Sequence, residues 1–385
     1  MNVEFLSPVK SMVLAHNELL PKQALGRTIS IHTEKEGFPG LENIQIAIIG
    51  INESRSEHIE NKEEVDLASV RLEFYKLFAG NWHGKIADLG DIQPGNTLTD
   101  TYYAVSSIVA DLLKKNIIPI IIGGSQDLTY AAYRAYDKME QMVNLVSIDS
   151  KFDFSASDEL ITESAYMSKI IMEQPNNLFN FSTVGYQTYF NAQEEIDLME
   201  KLFFDAYRLG EVVNDITIVE PVFRDADLVS LDVTAIKAAE LGHAPSTHPN
   251  GFDGREICAI ARYAGISDKV TAFGVFNYKN TVQCAQLTSQ ILWYFIEGYN
   301  FRKKDYPFTS IANYVKYIVP LDDMDICFFK SNISGRWWIE VPQIENLNNK
   351  LKRHTLLPCT HKEYLEASNG VVPERWWKAY KKMLV

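Results

Sequence analysis

The chain has 385 residues, of which 46% are hydrophobic and 23% are charged, and its formal net charge is −13 at pH 7. This length and composition are typical of a globular protein with a large core and exclude the disordered and fibrous classes. The negative charge argues against a nucleic-acid backbone or an anionic membrane surface as the main partner, because both would repel the chain at long range.

The cysteines and the N-terminus indicate where the protein resides. Cys258, Cys284, Cys327 and Cys359 lie far apart without a C-x-x-C pair, so the sequence indicates neither a structural zinc site nor a disulfide framework. The first residues, "MNVEFLSPVK", lack a basic segment followed by an apolar one, and no apolar run is long enough to span a membrane. We therefore expect reduced thiols and a cytoplasmic protein that binds no membrane.

Six short apolar runs predict strands that are buried on both faces. Helical patterns lie between them, and the alternation predicts a three-layer α/β/α fold with a mostly parallel central sheet. In such a sheet the ligand site forms where the strands end, at their carboxyl edge. The predicted strands are 45–51, 117–124, 143–149, 181–185, 227–233 and 269–276, and the predicted helices are 66–79, 99–115, 126–138, 192–208, 253–264 and 281–299.

The ends of the chain differ from its middle. We expect an α/β domain at 44–305, after an N-terminal segment at 1–43 and before a C-terminal extension at 306–385 that packs on the main domain. The extension lacks a regular helical period. Its repeated "RWW", at 336–338 and 375–377, has two interpretations, which are aromatic anchors closing a core and a partner-binding aromatic surface.

Polar side chains follow three of the predicted strands, where the ligand site is expected. After two of these strands the polar residues stand at every second position, so their side chains would lie on one face of an extended chain. A single aspartate in such a place is also common as the cap of the next helix, and it is the joint spacing that favours a site. The candidates are Gln126, then Asp149, Lys151 and Asp153, and finally Asp232 and Thr234.

These stretches resemble the ureohydrolases, the family of arginase, agmatinase, guanidinobutyrase and formimidoylglutamase. The resemblance covers roughly residues 44 to 300 and includes "AIIGINESR", "DLGDIQPGNTLTD" and "PIIIGGSQDLT". The second of these stretches, together with "NGFDGREICAIARYAG", is most similar to formimidoylglutamase-like members. The resemblance implies an arginase-like fold and a homo-oligomer, because members of the family commonly form trimers or hexamers.

The family's metal motifs are altered in this sequence. Members carry G-G-D-H, D-A-H-x-D and D-x-D, which hold two manganese ions, whereas the corresponding letters here are "GGSQ", "DSKFD" and "DVT". The resemblance implies that one remaining ion would draw on Asp149, Asp153 and Asp232, and that a second would need Lys151 and Thr234. A glutamate that holds the substrate in such enzymes aligns with Asn277, and Gln126 stands where a histidine ligand is expected.

Lys151 argues against the second ion. A protonated lysine is a donor only, and two like unit charges roughly 4 Å apart repel by about 4 kcal/mol at an effective dielectric constant of about 20. An ammonium among three carboxylates would instead form charge-assisted hydrogen bonds. We therefore predict that Lys151 replaces the missing cation through an internal ion pair with the aspartates. No cofactor is expected, or at most one divalent ion.

Two functions remain open from the sequence. A ureohydrolase needs a metal-bridging hydroxide, and "GGSQD" is not the G-x-S-x-G turn of a serine hydrolase. The first interpretation is a pseudoenzyme that lacks the dimanganese centre and binds a small molecule in the former cleft, or another protein. The alternative is a hydrolase of linear C–N bonds, such as that of formimidoylglutamate, with at most one metal ion. His243 and His248 are candidate replacement ligands, although loop histidines are more often solvated.

Overall fold

The computed structural model describes residues 2–56, 65–139, 141–155, 161–244, 246–307, 310–321, 324–342 and 356–384. Ten strands in these ranges form one sheet, in the order β1-β4-β3-β5-β10-β9-β6-β7-β8 with β2 beside β4. Only β1 pairs in the antiparallel direction, and the other strand pairs are parallel. The strands are β1 (Leu6–Ser7), β2 (Ser30–Ile31), β3 (Ile46–Ile51), β4 (Ile86–Ile92), β5 (Ile118–Ile122), β6 (Val143–Ile148), β7 (Leu178–Tyr186), β8 (Asp205–Arg208), β9 (Leu228–Asp232) and β10 (Ala272–Phe276).

Helices cover both faces of this sheet, which confirms the three-layer α/β/α fold. Alternate residues of β3 enter different cores: Ile46 and Ile48 belong to one, and Ala47 and Ile49 to the other. A strand with a core on each face needs apolar residues throughout. The helices are α1 (Ser11–Glu18), α2 (Leu25–Thr28), α3 (Ala68–Lys76), α4 (Leu98–Lys114), α5 (Leu128–Arg134), α6 (Tyr166–Met172), α7 (Gln193–Lys201), α8 (Leu209–Asn214), α9 (Glu220–Arg224), α10 (Gly254–Ile266) and α11 (Val282–Asn300). Among the described residues, no helix combines the length and apolarity needed to cross a bilayer.

Helix starts follow the local sequence closely. Thr97 accepts a hydrogen bond from the backbone N–H of Asp100, whose side chain accepts one from the backbone N–H of Thr97, and this capping box begins α4. Asp253 and Glu256 form the same arrangement at the start of α10. The predicted helices at 99–115 and 253–264 therefore begin within one residue of the observed ones.

Two of the differences from the prediction have a clear physical reason. The pattern at 192–208 is not one helix, because α7 ends at Lys201 and the chain then forms β8 at the edge of the sheet. Strand β4 was not predicted, since Asp88 and Asp91 interrupt its apolar run. Both carboxylates are buried and pair with Arg71, whose Nε lies 2.8 Å from Asp88 Oδ2 and whose Nη1 lies 2.7 Å from Asp91 Oδ1. Paired in this way, the two charges are tolerated inside the sheet.

The C-terminal extension has more regular structure than its sequence pattern indicated. In the described ranges it contains a separate antiparallel sheet in the order β11-β12-β13-β14 and two helices. Residues of β12 alternate imperfectly between buried and exposed, and β13 has three successive buried residues, so neither inner strand shows a clear two-residue period. The elements are β11 (Tyr314–Pro320), β12 (Asp325–Ser331), β13 (Trp337–Glu340), β14 (Leu356–Cys359), α12 (His361–Ser368) and α13 (Glu374–Leu384).

The extension contacts the main domain through buried cations. Arg224 of α9 donates to the carbonyl oxygens of Trp337 and Cys359 at 3.0 and 2.8 Å, and its guanidinium lies 4.6 Å from the ring centroid of Trp338. Helix α13 lies along the last strand of the main sheet, where Lys378 Nζ is 3.5 Å from Asp205 Oδ1.

The "RWW" tryptophans act mainly as anchors. Trp337, Trp338 and Trp376 are buried, whereas Trp377 is 39% exposed. Trp376 also donates its indole N–H to the carbonyl oxygen of Glu340 at 2.8 Å, which joins α13 to the small sheet. The first interpretation is therefore borne out for three of the four residues.

Adjacent Trp376 and Trp377 provide a matched test. We expect Trp376→Ala to lower the free energy of unfolding by about 3–5 kcal/mol, because it empties a buried site and leaves the Glu340 carbonyl without its donor. Trp377→Ala should lower the free energy of unfolding by less than about half of that amount, since the side chain is partly exposed. Urea denaturation of both variants measures the difference, and equal losses would contradict the anchoring role of Trp376.

Candidate functional site

Four neighbouring parallel strands carry the candidate residues at their carboxyl ends. Across the sheet β5, β10, β9 and β6 are adjacent, and they lead into Gln126, Asn277, Asp232 and Asp149. In register, Phe276 pairs with Asp232 and Leu231 pairs with Ile148, so Asp149 directly follows the residue level with Leu231. The predicted convergence at the carboxyl edge is thus observed.

Both side-chain oxygens of Asp232 accept hydrogen bonds from the protein. Its Oδ1 accepts the backbone N–H of Thr234 at 2.7 Å, and its Oδ2 accepts Nδ2 of Asn277 at 2.9 Å. Both oxygens therefore have a donor, although the side chain is buried. Such hydrogen bonds replace part of the hydration that burial removes.

Asn277 joins two strand ends. Besides its bond to Asp232, its Oδ1 accepts the backbone N–H of Gln126 at 3.2 Å, and its own backbone N–H donates to the carbonyl of Gly124 at 2.7 Å. Its φ of 57° lies in the left-handed region, which asparagine tolerates better than most residues. The amide that aligns with a substrate-binding glutamate thus contacts the protein through both its oxygen and its nitrogen.

Asp149 and Asp153 have fewer hydrogen-bond donors than Asp232. Burial first, and then the charge of Asp232, raise the pKa of Asp149 to about 7, whereas its Oδ1 accepts the backbone N–H of Lys151 at 2.9 Å. Burial and the neighbouring carboxyl groups of Asp149 and Asp232 raise the pKa of Asp153 well above its ordinary value. Asp149 Oδ2 and Asp153 Oδ2 are buried without an N–H donor among the described residues, and a hydrogen bond between the two carboxyl groups adds to the raised pKa of Asp153.

Gln126 supports this cluster as a donor. Its Nε2 donates to Ser147 Oγ at 3.1 Å, and its amide lowers the pKa of Asp149, although less than burial raises it. A hydrogen-bonding amide therefore occupies the position of the expected histidine ligand. Tyr166, at the start of α6, also belongs here, since the charges of Asp153 and Asp149 add to burial in raising the pKa of its hydroxyl. No sequence signal distinguished Tyr166 from an ordinary core tyrosine.

The predicted internal ion pair of Lys151 is wrong. Its side chain is exposed, and its ammonium forms no ion pair with a carboxylate in the described ranges. The prediction assumed an extended chain, but β6 ends at Ile148 and Asp153 has a φ of 58°, so the chain turns and strict alternation is lost. The Lys151 charge still lowers the pKa of Asp149, but it is the smallest of the causes that act on that carboxyl.

The donor set does not fit two manganese ions. Lys151 and Thr234 stand at positions that the second ion would need, and Thr234 contributes a backbone N–H, which is a donor. Throughout the part of the chain that the structure describes, no three or more histidine, cysteine, aspartate or glutamate side chains are arranged to hold a metal ion. His243 and His248 join no such group either. His243 is exposed, and the His248 ring lies 4.5 Å from that of Phe190.

The sheet order and the strand-end site define a three-layer α/β/α protein of the ureohydrolase type. Residues 45–296 match the profile of the Arginase family, and the chain belongs to this family. A formimidoylglutamase of Streptococcus gordonii is 22% identical over 260 residues, which cover 61% of this chain and 77% of that relative.

Solved structures show the same fold. A manganese-bound formiminoglutamase of Trypanosoma cruzi superposes with a TM-score of 0.62 and 19% identity, over 72% of this chain and 99% of that one. A formimidoylglutamase of Bacillus subtilis gives a TM-score of 0.62 and 15% identity, over 71% of this chain and 91% of that one.

The pKa of Asp149 predicts a stability effect that depends on pH. A carboxyl whose pKa is raised in the folded state contributes stability at low pH that is lost as the pH rises through about 7. Asp149→Asn removes this loss while keeping an oxygen for the Lys151 N–H. In EDTA, we expect its stability relative to the native protein to increase by on the order of 2 kcal/mol between pH 5 and pH 8.

Denaturation with urea at the two pH values measures this increase. Asp197→Asn, which replaces an exposed carboxylate of α7, is the matched control and should show no such trend. If the stability of Asp149→Asn relative to the native protein does not increase between pH 5 and pH 8, the prediction is contradicted.

The exposure of Lys151 predicts a small effect of its removal. Lys151→Met should change the free energy of unfolding by less than about 0.5 kcal/mol at pH 7, as is usual for an exposed side chain without an ion pair. Thermal or urea denaturation measures the change. A loss of several kcal/mol that added Mg²⁺ restores would instead support an internal ion pair.

Proposed function

We propose that this chain is a non-catalytic member of the arginase family that binds a small molecule at the carboxyl edge of its sheet. The observation that carries the proposal is the donor set: Lys151 and Thr234 replace ligands of the second ion, and Asp232 already has a protein donor on each oxygen. A dinuclear centre would have to share the Asp232 oxygens with the Thr234 and Asn277 hydrogen bonds, and it would have to find other ligands in place of Lys151 and Thr234.

Hydrolysis of an amidine or guanidine carbon needs an activated water. Bound cations supply it in metallohydrolases by lowering the pKa of water from about 15.7 towards about 7. The turn at 123–126 offers no substitute nucleophile. Ser125 is fully buried, and its Oγ lies 2.6 Å from Ser56 Oγ. A serine so enclosed cannot reach a substrate in the cleft.

One observation favours a second candidate, a hydrolase of linear C–N bonds that uses at most one metal ion. Asp149 Oδ2 and Asp153 Oδ2 are buried without a donor from the described residues, and a cation beside them would remove the penalty of burial. Formimidoylglutamate is the first substrate to test, because relatives of this chain are named formimidoylglutamases.

Metal content and turnover separate the two candidates. The full chain, purified without chelator and then equilibrated with Mn²⁺, is analysed for bound metal and for release of formamide or urea from formimidoylglutamate, arginine and agmatine. We expect manganese well below one ion per chain and no turnover. Thermal melts with the same compounds detect binding without reaction, since a ligand of the folded state raises the melting temperature.

A motif-restored variant provides the positive control. Gln126→His, Lys151→His and Thr234→Asp, combined in one chain, return the family's side chains to three ligand positions. We expect this variant to retain manganese where the native chain does not. Stoichiometric manganese with turnover in the native chain would overturn the proposal, whereas turnover with one ion per chain would establish the second candidate.

A further inference from the structure

A second concavity lies between α7 and α13, beside the strand-end cleft. It is an open groove of about 600 Å³, and residues of the C-terminal helix form one of its walls. Its volume falls in the range of small-molecule sites, which is about 300–1,000 Å³. The groove does not include the aspartates. Its apolar lining includes Phe152, Tyr186, Met199, Phe204 and Trp377.

The floor of the groove is rigid and aromatic. Phe152 and Met199 are almost fully buried beneath it, and the rings of Phe152 and Tyr186 lie 4.9 Å apart between centroids. Trp377 forms part of the wall and remains 39% exposed. A flat or bulky apolar group placed here would be covered by preformed surface without burying a backbone polar group.

The rim carries charges of both signs, and two of them are unpaired. Lys378 is neutralised by Glu374 at 2.9 Å and by Asp205 at 3.5 Å. Glu200 on α7 and Lys381 on α13 both line the groove, and neither forms an ion pair with any residue described by the structure. The Lys381 ammonium lies 5.6 Å from the ring centroid of Phe203. Helices α7 and α13 thus present, above an apolar floor, one carboxylate and one ammonium that form no ion pair among the described residues.

We propose that this groove binds a free amino acid with a large apolar or aromatic side chain. The ligand's ammonium pairs with Glu200, its carboxylate pairs with Lys381, and its side chain lies on the aromatic floor. A neutral apolar molecule would leave both rim charges without a partner, and a simple anion or cation would satisfy only one of them. The site is separate from the strand-end cleft, so the proposal does not depend on whether the cleft is catalytic.

The groove also adjoins the candidate site through one residue. Phe152 lies in the loop between Asp149 and Asp153, and its side chain forms part of the groove floor. A ligand in the groove therefore contacts the loop that carries both buried aspartates.

Calorimetric titration of the full chain tests the proposal with L-phenylalanine and three analogues. 3-Phenylpropionate lacks the ammonium, 2-phenylethylamine lacks the carboxylate and glycine lacks the side chain. We expect saturable binding of L-phenylalanine and a dissociation constant at least about tenfold higher for each analogue.

Two variants test which charged group of the ligand each rim residue binds. Glu200→Gln should weaken L-phenylalanine about tenfold and leave 3-phenylpropionate unchanged, whereas Lys381→Gln should weaken L-phenylalanine and leave 2-phenylethylamine unchanged. Glu194→Gln and Lys201→Gln, on the same helix α7 but outside the groove lining, are the matched controls and should bind as the native chain does. All four positions are exposed, and circular dichroism melts verify folding.

Three results would overturn the proposal: no saturable binding of L-phenylalanine to the native chain, binding that neither Glu200→Gln nor Lys381→Gln weakens, or equal binding of L-phenylalanine and glycine. The last result would place the ligand away from the aromatic floor. If the groove is the site, Ile196→Arg, which introduces a bulky charge into it, should abolish the calorimetric signal of L-phenylalanine binding.

Discussion

The burial of three carboxyl groups at adjoining strand ends is the constraint on which this site depends. A parallel sheet brings the ends of neighbouring strands together, so Asp149 and Asp232 are close to each other by register alone. Removing such groups from water costs several kcal/mol each unless donors or cations replace the solvent. Here the protein supplies donors unequally: Asp232 has two, Asp149 has the Lys151 N–H, and the pKa of Asp153 is raised by burial and by its neighbours.

Elsewhere in the same fold, buried carboxylates are fully paired with donors from the protein. At β4, Arg71 pairs with Asp88 and Asp91, and the hydroxyl of Tyr75 donates to Asp88 at 2.9 Å. A buried guanidinium with fixed geometry can satisfy two carboxylates at once, which a flexible ammonium does less well. The incomplete pairing at Asp149 and Asp153 is therefore a local property of the cleft. It is the pattern expected where a ligand, rather than the protein, supplies the remaining donors.

The sequence predicts this fold where one physical signal dominates and fails where two compete. Continuous apolar runs identified the strands with a core on each face. Strand β4 was missed because two aspartates in a short segment are typical of a loop. Their partner Arg71 lies on another element, so the local sequence does not show that Asp88 and Asp91 are paired. In the site, the strand ends could be predicted to meet, but the direction of Lys151 depended on where β6 ends and on the left-handed backbone of Asp153. A sequence pattern does not report a backbone angle.

The C-terminal extension forms a groove beside the last strand of the main sheet. Helix α13 lies beside β8, the last strand of the main sheet, where Lys378 Nζ is 3.5 Å from Asp205 Oδ1. The same packing leaves a groove against α7 whose floor reaches Phe152, in the loop that follows β6. The aspartates and the groove therefore share one short segment of backbone. Contacts made on Phe152 therefore act on the loop that carries both carboxyl groups whose pKa is raised by burial.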